Sequence, residues 1–238
     1  MGVKIERKKP SLAWLSGFYR MQKLLPMSTK AKFKMFLNLA WMFDRFASES
    51  SFKYYTRTSH PMRLTTIDFI GKYLKPHYNV LDLGCGRGDI SGMISNNVRR
   101  SVGIDHDKAA IANANATYKA PNLEFSYGDA REFLQNNHEK FDVLILCHVL
   151  EHLDNPEEFV MTFKDFFDYI YIELPDFDKT YLNYFRKDLG LKLVYSDDDH
   201  VSEFDRYELG DLVNRCNLEI EDSKYTYGVQ QLWCRVKK

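Results

Sequence analysis

The stretch Asn79-Val80-Leu81-Asp82-Leu83-Gly84-Cys85-Gly86-Arg87-Gly88-Asp89-Ile90 leaves few folds open to this chain. An apolar run stops at three alternate glycines and resumes with helical spacing, which reads as strand, tight loop and helix. Glycine at alternate positions admits positive φ angles and lets the backbone approach a ligand, while the helix behind it offers unpaired N–H groups. The neighbouring residues restrict which ligand that is. No Gly-Lys-Ser/Thr follows, as a phosphate-cradling loop requires. The dinucleotide fingerprint wants its third glycine where Asp89 stands, and Gly88 falls one place early. Asp82 and Asp89 would repel a pyrophosphate but suit a ligand that carries an ammonium group and hydroxyls.

The run Asp82-Leu83-Gly84-Cys85-Gly86-Arg87-Gly88 resembles the first motif of the class I S-adenosylmethionine-dependent methyltransferases. The resemblance implies that the loop, with Gly84, Cys85, Gly86 and Gly88, holds the methionine part of S-adenosylmethionine, and that Asp82 helps to bind its amino group. Further matches come in order along the chain. Ser101-Val102-Gly103-Ile104-Asp105 reads as a short buried strand that ends in an acid 21 residues beyond Gly84. A carboxylate there can accept from both ribose hydroxyls of an adenosine group, although Asp105 can equally cap the helix that follows. By the resemblance, His106 lies against the adenine. After a third strand, Leu123 to Tyr127, Asp129 takes the adenine amino group and the backbone of Ala130 faces the ring; a plain helix cap is the competing account of Asp129.

Phe141 to Cys147 is almost continuously apolar, as expected of a central strand buried on both faces of a parallel sheet, and Cys147 joins the cofactor-binding set. His148-Val149-Leu150-Glu151-His152 follows at once, at the strand end where parallel sheets place their ligands. On a helical turn, His148, Glu151 and His152 share one side. With His200 they make a candidate site for Mn²⁺ or Mg²⁺, similar to the Glu-x-x-Glu-His metal site of small-RNA 2′-O-methyltransferases and quinone-biosynthesis O-methyltransferases. Without a metal, His148 or His200 is a candidate general base, and Glu151 and His152 can simply pair.

The expected fold class is α/β: a Rossmann-like doubly wound sheet of seven strands, mostly parallel with an antiparallel end strand, implied by the resemblance over about residues 62 to 238. The expected organisation is a basic aromatic helical extension over 1–60 and a methyltransferase domain over 61–238, with a cover insertion near 176–200. Within the extension, apolar spacing from Leu12 to Phe43 predicts two amphipathic helices broken near Pro26, then a polar connector over 47–60 that can line the site. A helix is expected from Leu64 to Leu74.

Net charge is zero, yet residues 1–53 hold 11 Lys/Arg against 3 Asp/Glu while the rest hold 22 against 30. The acidic body disfavours a nucleic-acid partner, and the basic front, which begins with Lys4, Arg7, Lys8 and Lys9, suits a lid or peripheral contact with an anionic membrane. Four separated cysteines with no CxxC pair argue for a reducing, cytoplasmic setting, and no signal peptide is recognised. The expected activity is methyl transfer to oxygen on a small polar, sugar-like, phosphorylated or lipid-linked acceptor, as in bacterial surface polysaccharide pathways that the chain resembles. The alternatives are an RNA 2′-O-methyltransferase with a metal-assisted site and a non-catalytic cofactor-binding scaffold.

Overall fold

In the computed structural model, which describes residues 13–136, 140–193 and 199–237, the strand predicted before the glycines lies near the middle of a sheet. The basic start from Lys4 to Lys9, Leu12 and positions 194–198 of the expected cover insertion lie outside the described residues. The strands are β1 (Asn79–Leu83), β2 (Arg100–Asp105), β3 (Leu123–Tyr127), β4 (Val143–Cys147), β5 (Tyr169–Pro175), β6 (Leu218–Thr226) and β7 (Val229–Val236). They form one seven-stranded sheet in the order β3-β2-β1-β4-β5-β7-β6. The first five run parallel, and β7 pairs antiparallel with both β5 and β6.

From β1 the chain builds outward to β2 and β3, then returns to place β4 on the other side of β1. That reversal opens a crevice at the carboxyl ends of β1 and β4, where open α/β sheets take their ligands. Alternation along β4 explains its unbroken apolar run. Leu144 and Leu146 pack into one core with Phe159, Val160, Leu209 and Leu212, while Val143 and Ile145 pack into another with Phe69, Ile70, Ile94 and Trp233.

The helices follow from their caps. Pro61 opens α3 (Pro61–Gly71), with the His60 ring accepting from Met62 N–H. Elsewhere, Asn155 caps α7 (Pro156–Phe163), and Asp205 with Glu208 forms a capping box on α9 (Arg206–Arg215). Between them come α4 (Asp89–Ile94), α5 (Lys108–Thr117), α6 (Ala130–Asn136) and α8 (Leu182–Asp188). The turn at Tyr227 and Gly228, with φ of 50° and 78°, joins β6 to β7 in a two-residue hairpin loop.

At the front, α1 (Ala13–Met21) and α2 (Thr29–Tyr54) flank Pro26 as the spacing predicts. The second helix runs on to Tyr54, through residues expected to be a connector. No proline or glycine interrupts 29–54, so nothing breaks the backbone ladder, and Ser51 Oγ is tied to the His60 ring at 3.0 Å. Likewise α3 starts at Pro61 rather than Leu64, because proline suits a first helical position. Among the described residues, no helix is long and apolar enough to cross a membrane.

Candidate active site

Gly84, Gly86 and Gly88 have φ of 68°, 55° and 77°, the left-handed region that disfavours side chains. The turn is fastened from below, where the Ile104 carbonyl accepts from the N–H groups of both Gly84 and Cys85, at 2.9 and 3.1 Å. Gly88 is there for packing, because a Cβ on it would lie 2.5 Å from the Phe125 ring. Gly86 differs. A Cβ there would meet nothing within 4 Å, so its bare backbone faces open space. Its N–H donates to Asp105 Oδ2 at 2.7 Å, which couples the loop to the acid at the end of β2.

The other Asp105 oxygen accepts from Asp107 N–H at 2.7 Å, so both oxygens are oriented and each keeps a lone pair for a further donor. Asp82, 1% exposed, accepts from Ser91 Oγ through Oδ2 at 2.6 Å, while its Oδ1 has no partner. Burial lifts the Asp82 carboxyl to about 6, against the opposing pull of Ser91 and Arg63. Burial also pushes the Cys85 thiol up, so it stays neutral beside the loop. His106, with a side chain 90% exposed, stands at the rim. Asp129 accepts from Glu132 N–H at 2.9 Å and so caps α6, whose first residue is Ala130. This cap is compatible with a second acceptor role for its carboxylate.

Asp89 is committed elsewhere. It pairs with Arg57 at 2.7 Å and accepts from Tyr118 at 2.8 Å, so its carboxylate locks the helix start and is not left to meet an ammonium group. Arg63 lies 3.8 Å from the same carboxylate, in the first turn of α3. Burial would depress its guanidinium, but Cys147, Asp89, Glu173 and Asp82 outweigh that and raise it. Those neighbours place Arg63 between the glycine loop and the ends of β4 and β5. A single arginine fits no spacing, so Arg63 could be suspected from sequence only through the proline that starts its helix.

Beyond β4 the chain departs from the expected helical turn. His148 N–H donates to the Glu173 carbonyl at 2.8 Å, which extends the sheet pairing by one residue, and His148 takes φ of 56°. A 3₁₀ turn over Leu150–His152 follows, so 148, 151 and 152 do not share a helix face. The four residues named for a metal fall into two groups: His148 beside Cys147 and Glu173, and Glu151 with His152 and His200. His148 Nδ1 lies 3.0 Å from Glu151 Oε1, and its Nε2 lies 3.6 Å from Glu173 Oε1. Burial alone would depress this imidazole, but the hydrogen bond to Glu151 and the charges of Glu151 and Glu173 lift it to about 10, while Nε2 itself has no hydrogen-bond partner. The two carboxylates thus favour the imidazolium, the form with no lone pair to take a proton or bind a metal.

Glu173, 1% exposed, accepts from Thr66 Oγ1 at 2.8 Å, Gln231 Nε2 at 2.7 Å and the Tyr171 hydroxyl. Burial raises its pKa, yet His148, Gln231 and Tyr171 bring it down to about 2. The second group closes over the turn: His152 Nδ1 donates to the Asp199 carbonyl at 3.2 Å, and the His152 and His200 rings meet edge on at 4.8 Å. His200 Nδ1 is 3.0 Å from Glu203 Oε1.

Glu203 also lines a pocket of about 690 Å³ at the carboxyl end of β5, enclosed by α2, α8 and the β6–β7 hairpin. Trp41, Phe52, Tyr55, Phe177 and Arg186 form much of its wall. Its inner side includes His60, Pro61 and Met62, which lead directly into Arg63, so pocket and crevice share the start of α3. The front segment thus contributes wall residues from α2 as well as the loop after it.

A family model described as a methyltransferase domain matches residues 80–169. A probable S-adenosylmethionine-dependent methyltransferase of Mycolicibacterium smegmatis is 34% identical over 82 residues, 34% of this chain and 31% of that protein. The ubiquinone biosynthesis O-methyltransferase of Rickettsia typhi is 28% identical over 108 residues, 43% of this chain and 44% of that one. The chain thus spans less than half the length of these curated relatives. Among solved structures, the magnesium protoporphyrin IX methyltransferase of Synechocystis with bound S-adenosylhomocysteine superposes with a TM-score of 0.59 at 16% identity, over 82% of this chain and 94% of that one. The matched family model begins on β1, crosses the glycine loop and runs to the start of β5, so this part of the chain matches a methyltransferase domain, and the sheet is similar to that of solved S-adenosylmethionine-dependent methyltransferases.

Proposed function

We propose that this chain transfers the methyl group of S-adenosylmethionine to an oxygen of a small polar acceptor held in the pocket at the end of β5. The observation that carries the reading is Gly86: left-handed, open on its side-chain face, and tied through its N–H to Asp105. In this reading Asp105 holds the ribose, the free Oδ1 of Asp82 takes the ammonium group, and Arg63 pairs with the carboxylate. Asp129, Ala130 and His106 border the adenine, with Cys147 beneath the sulfur. When bound, the cofactor supplies an electrophilic methyl on a sulfonium that leaves readily, so alignment of the nucleophile provides most of the rate. His148, held protonated, is a fixed positive charge at the end of β4 rather than the base, and the His200–Glu203 pair beside the pocket is the candidate to receive the hydroxyl proton. Methyl-labelled S-adenosylmethionine incubated with a panel of hydroxylated acceptors tests this. Label on oxygen is expected, and its absence from every acceptor despite tight binding of S-adenosylhomocysteine would favour a scaffold.

A divalent cation is a second reading, favoured by Glu151 Oε2, which is buried with no partner. Glu151, His152 and His200 would hold it, and two imidazoles with one carboxylate suit Mn²⁺ better than Mg²⁺. Such an ion would stabilise an ionising hydroxyl. His152→Ala should then remove Mn²⁺ binding, and full activity in excess chelator would rule this reading out.

The front helices support a peripheral membrane role. Phe43 and Phe46 of α2 are 66% and 54% exposed on a segment that also carries Lys30, Lys32 and Lys34. Sedimentation with phosphatidylglycerol vesicles but not phosphatidylcholine vesicles is expected, and sedimentation with neither would end the reading.

A further inference from the structure

Arg186 is 3% exposed and lines the pocket, yet among the described residues no carboxylate forms an ion pair with it, and Asp44, whose charge reaches it, is paired with Lys179. Its Nη1 donates to Asn183 Oδ1 at 2.6 Å and its Nη2 to the Leu37 carbonyl at 3.1 Å, both neutral acceptors, while Nε has no partner. The other charged side chains of this wall are matched. Asp44 meets Lys179 at 3.3 Å, Arg45 meets Glu49 at 2.9 Å, Asp176 meets Arg206 at 2.7 Å and Glu203 meets His200 at 3.0 Å. A guanidinium cannot shed its proton, so a buried one without a counter-charge is costly unless something else supplies the charge.

The site is also built to hold this arginine in place. Asn183 Nδ2 donates to the Phe177 carbonyl at 2.7 Å, which turns Oδ1 towards Arg186. Around it the walls are aromatic, with Trp41, Phe52, Tyr55 and Phe177. We infer that Arg186 is the receptor for a carboxylate or phosphate carried by the methyl acceptor, whose body is a ring or hydrocarbon lying against those aromatic walls. The inference rests on the pocket being the acceptor site proposed above. It narrows the acceptor to an anionic molecule anchored on α8, with its hydroxyl reaching towards the end of β4.

The rival account is that Arg186 only fastens α8 to α2 through Leu37. Calorimetry on the full chain, with and without saturating S-adenosylhomocysteine, separates the two using benzoate, phenyl phosphate and neutral benzamide as probes. One or both anions are expected to bind at least about tenfold more tightly than benzamide, as a charge-assisted pair on a guanidinium allows. The tighter of the two identifies carboxylate or phosphate as the group recognised. Arg186→Gln should erase the gap while S-adenosylhomocysteine binding stays unchanged. Asn183→Asp gives Arg186 an internal counter-charge without removing its contact; it should also erase the gap, and serves if Arg186→Gln does not fold. Equal binding of charged and neutral probes, binding of none, or an anion preference that survives in Asn183→Asp overturns the inference. Failure of S-adenosylhomocysteine to bind the native chain would count instead against the methyl-transfer reading, and the probe titrations without it would still report on Arg186.

Discussion

The Nε2 atom of His148 lies 3.6 Å from Oε1 of Glu173, across the ends of two neighbouring strands. Each group holds the other in its charged form: the imidazole pKa rises to about 10 and that of the carboxyl falls to about 2. A histidine raised in the fold stabilises fully below its unfolded pKa, and that contribution drains away as pH climbs to the folded value. For His148 the loss therefore spans roughly pH 6.5 to 10. Glu173 behaves oppositely, contributing fully above about 4.5 and losing its share as pH falls towards 2. Denaturation midpoints measured across pH should decline on both sides, and His148→Gln should flatten the alkaline limb. An unchanged alkaline limb would show that His148 is not held charged.

Removing one partner of this buried pair leaves the other uncompensated. Glu173→Gln is expected to cost about 3 kcal/mol in urea unfolding, because the His148 imidazolium, Thr66, Gln231 and Tyr171 all lose their shared acceptor charge. A cost under about 0.5 kcal/mol would place the pair at the surface in energetic terms.

The loop glycines should part company under substitution. Gly88→Ala drives a methyl into the Phe125 ring and is expected to lower stability by about 1 to 3 kcal/mol. Gly86→Ala meets no atom, so it should cost only the left-handed strain of about 1 kcal/mol, while its methyl occupies the open space and weakens S-adenosylhomocysteine binding at least about tenfold. Thermal melts and titrations of the two variants check this, and parallel losses in both would remove the distinction.

Arg63 gives a sharper test of cofactor orientation. Arg63→Met should weaken S-adenosylhomocysteine, which has an amino-acid carboxylate, by about tenfold or more, yet leave 5′-methylthioadenosine, which has none, nearly unaffected. Equal weakening of both ligands would assign Arg63 to the scaffold around Asp89.

Much of this was legible in the chain because it depends on local chemistry. The glycines at 84, 86 and 88 announce a left-handed turn, Asp105 ends an apolar strand, and the two-sided burial of β4 is written in Val143 to Cys147. What failed depends on distant partners. Whether 148–152 forms a helical turn is decided by the Glu173 carbonyl, 25 positions away, which captures His148 N–H. Asp89 looked available until Arg57 and Tyr118 were seen to hold it, and Arg186 carries no pattern at all until α8 is packed on α2. The length of α2 was missed for the opposite reason: polar residues suggested a loop where nothing in the backbone required one.

The most direct test is calorimetric titration of the full chain with S-adenosylhomocysteine, alongside Asp105→Ala. The account predicts one ligand per chain and a loss of at least about tenfold in affinity when the carboxylate that orients Gly86 and receives the ribose is removed. Folded protein that takes up no S-adenosylhomocysteine, or an Asp105→Ala variant that binds it as well as the native chain, would contradict the account.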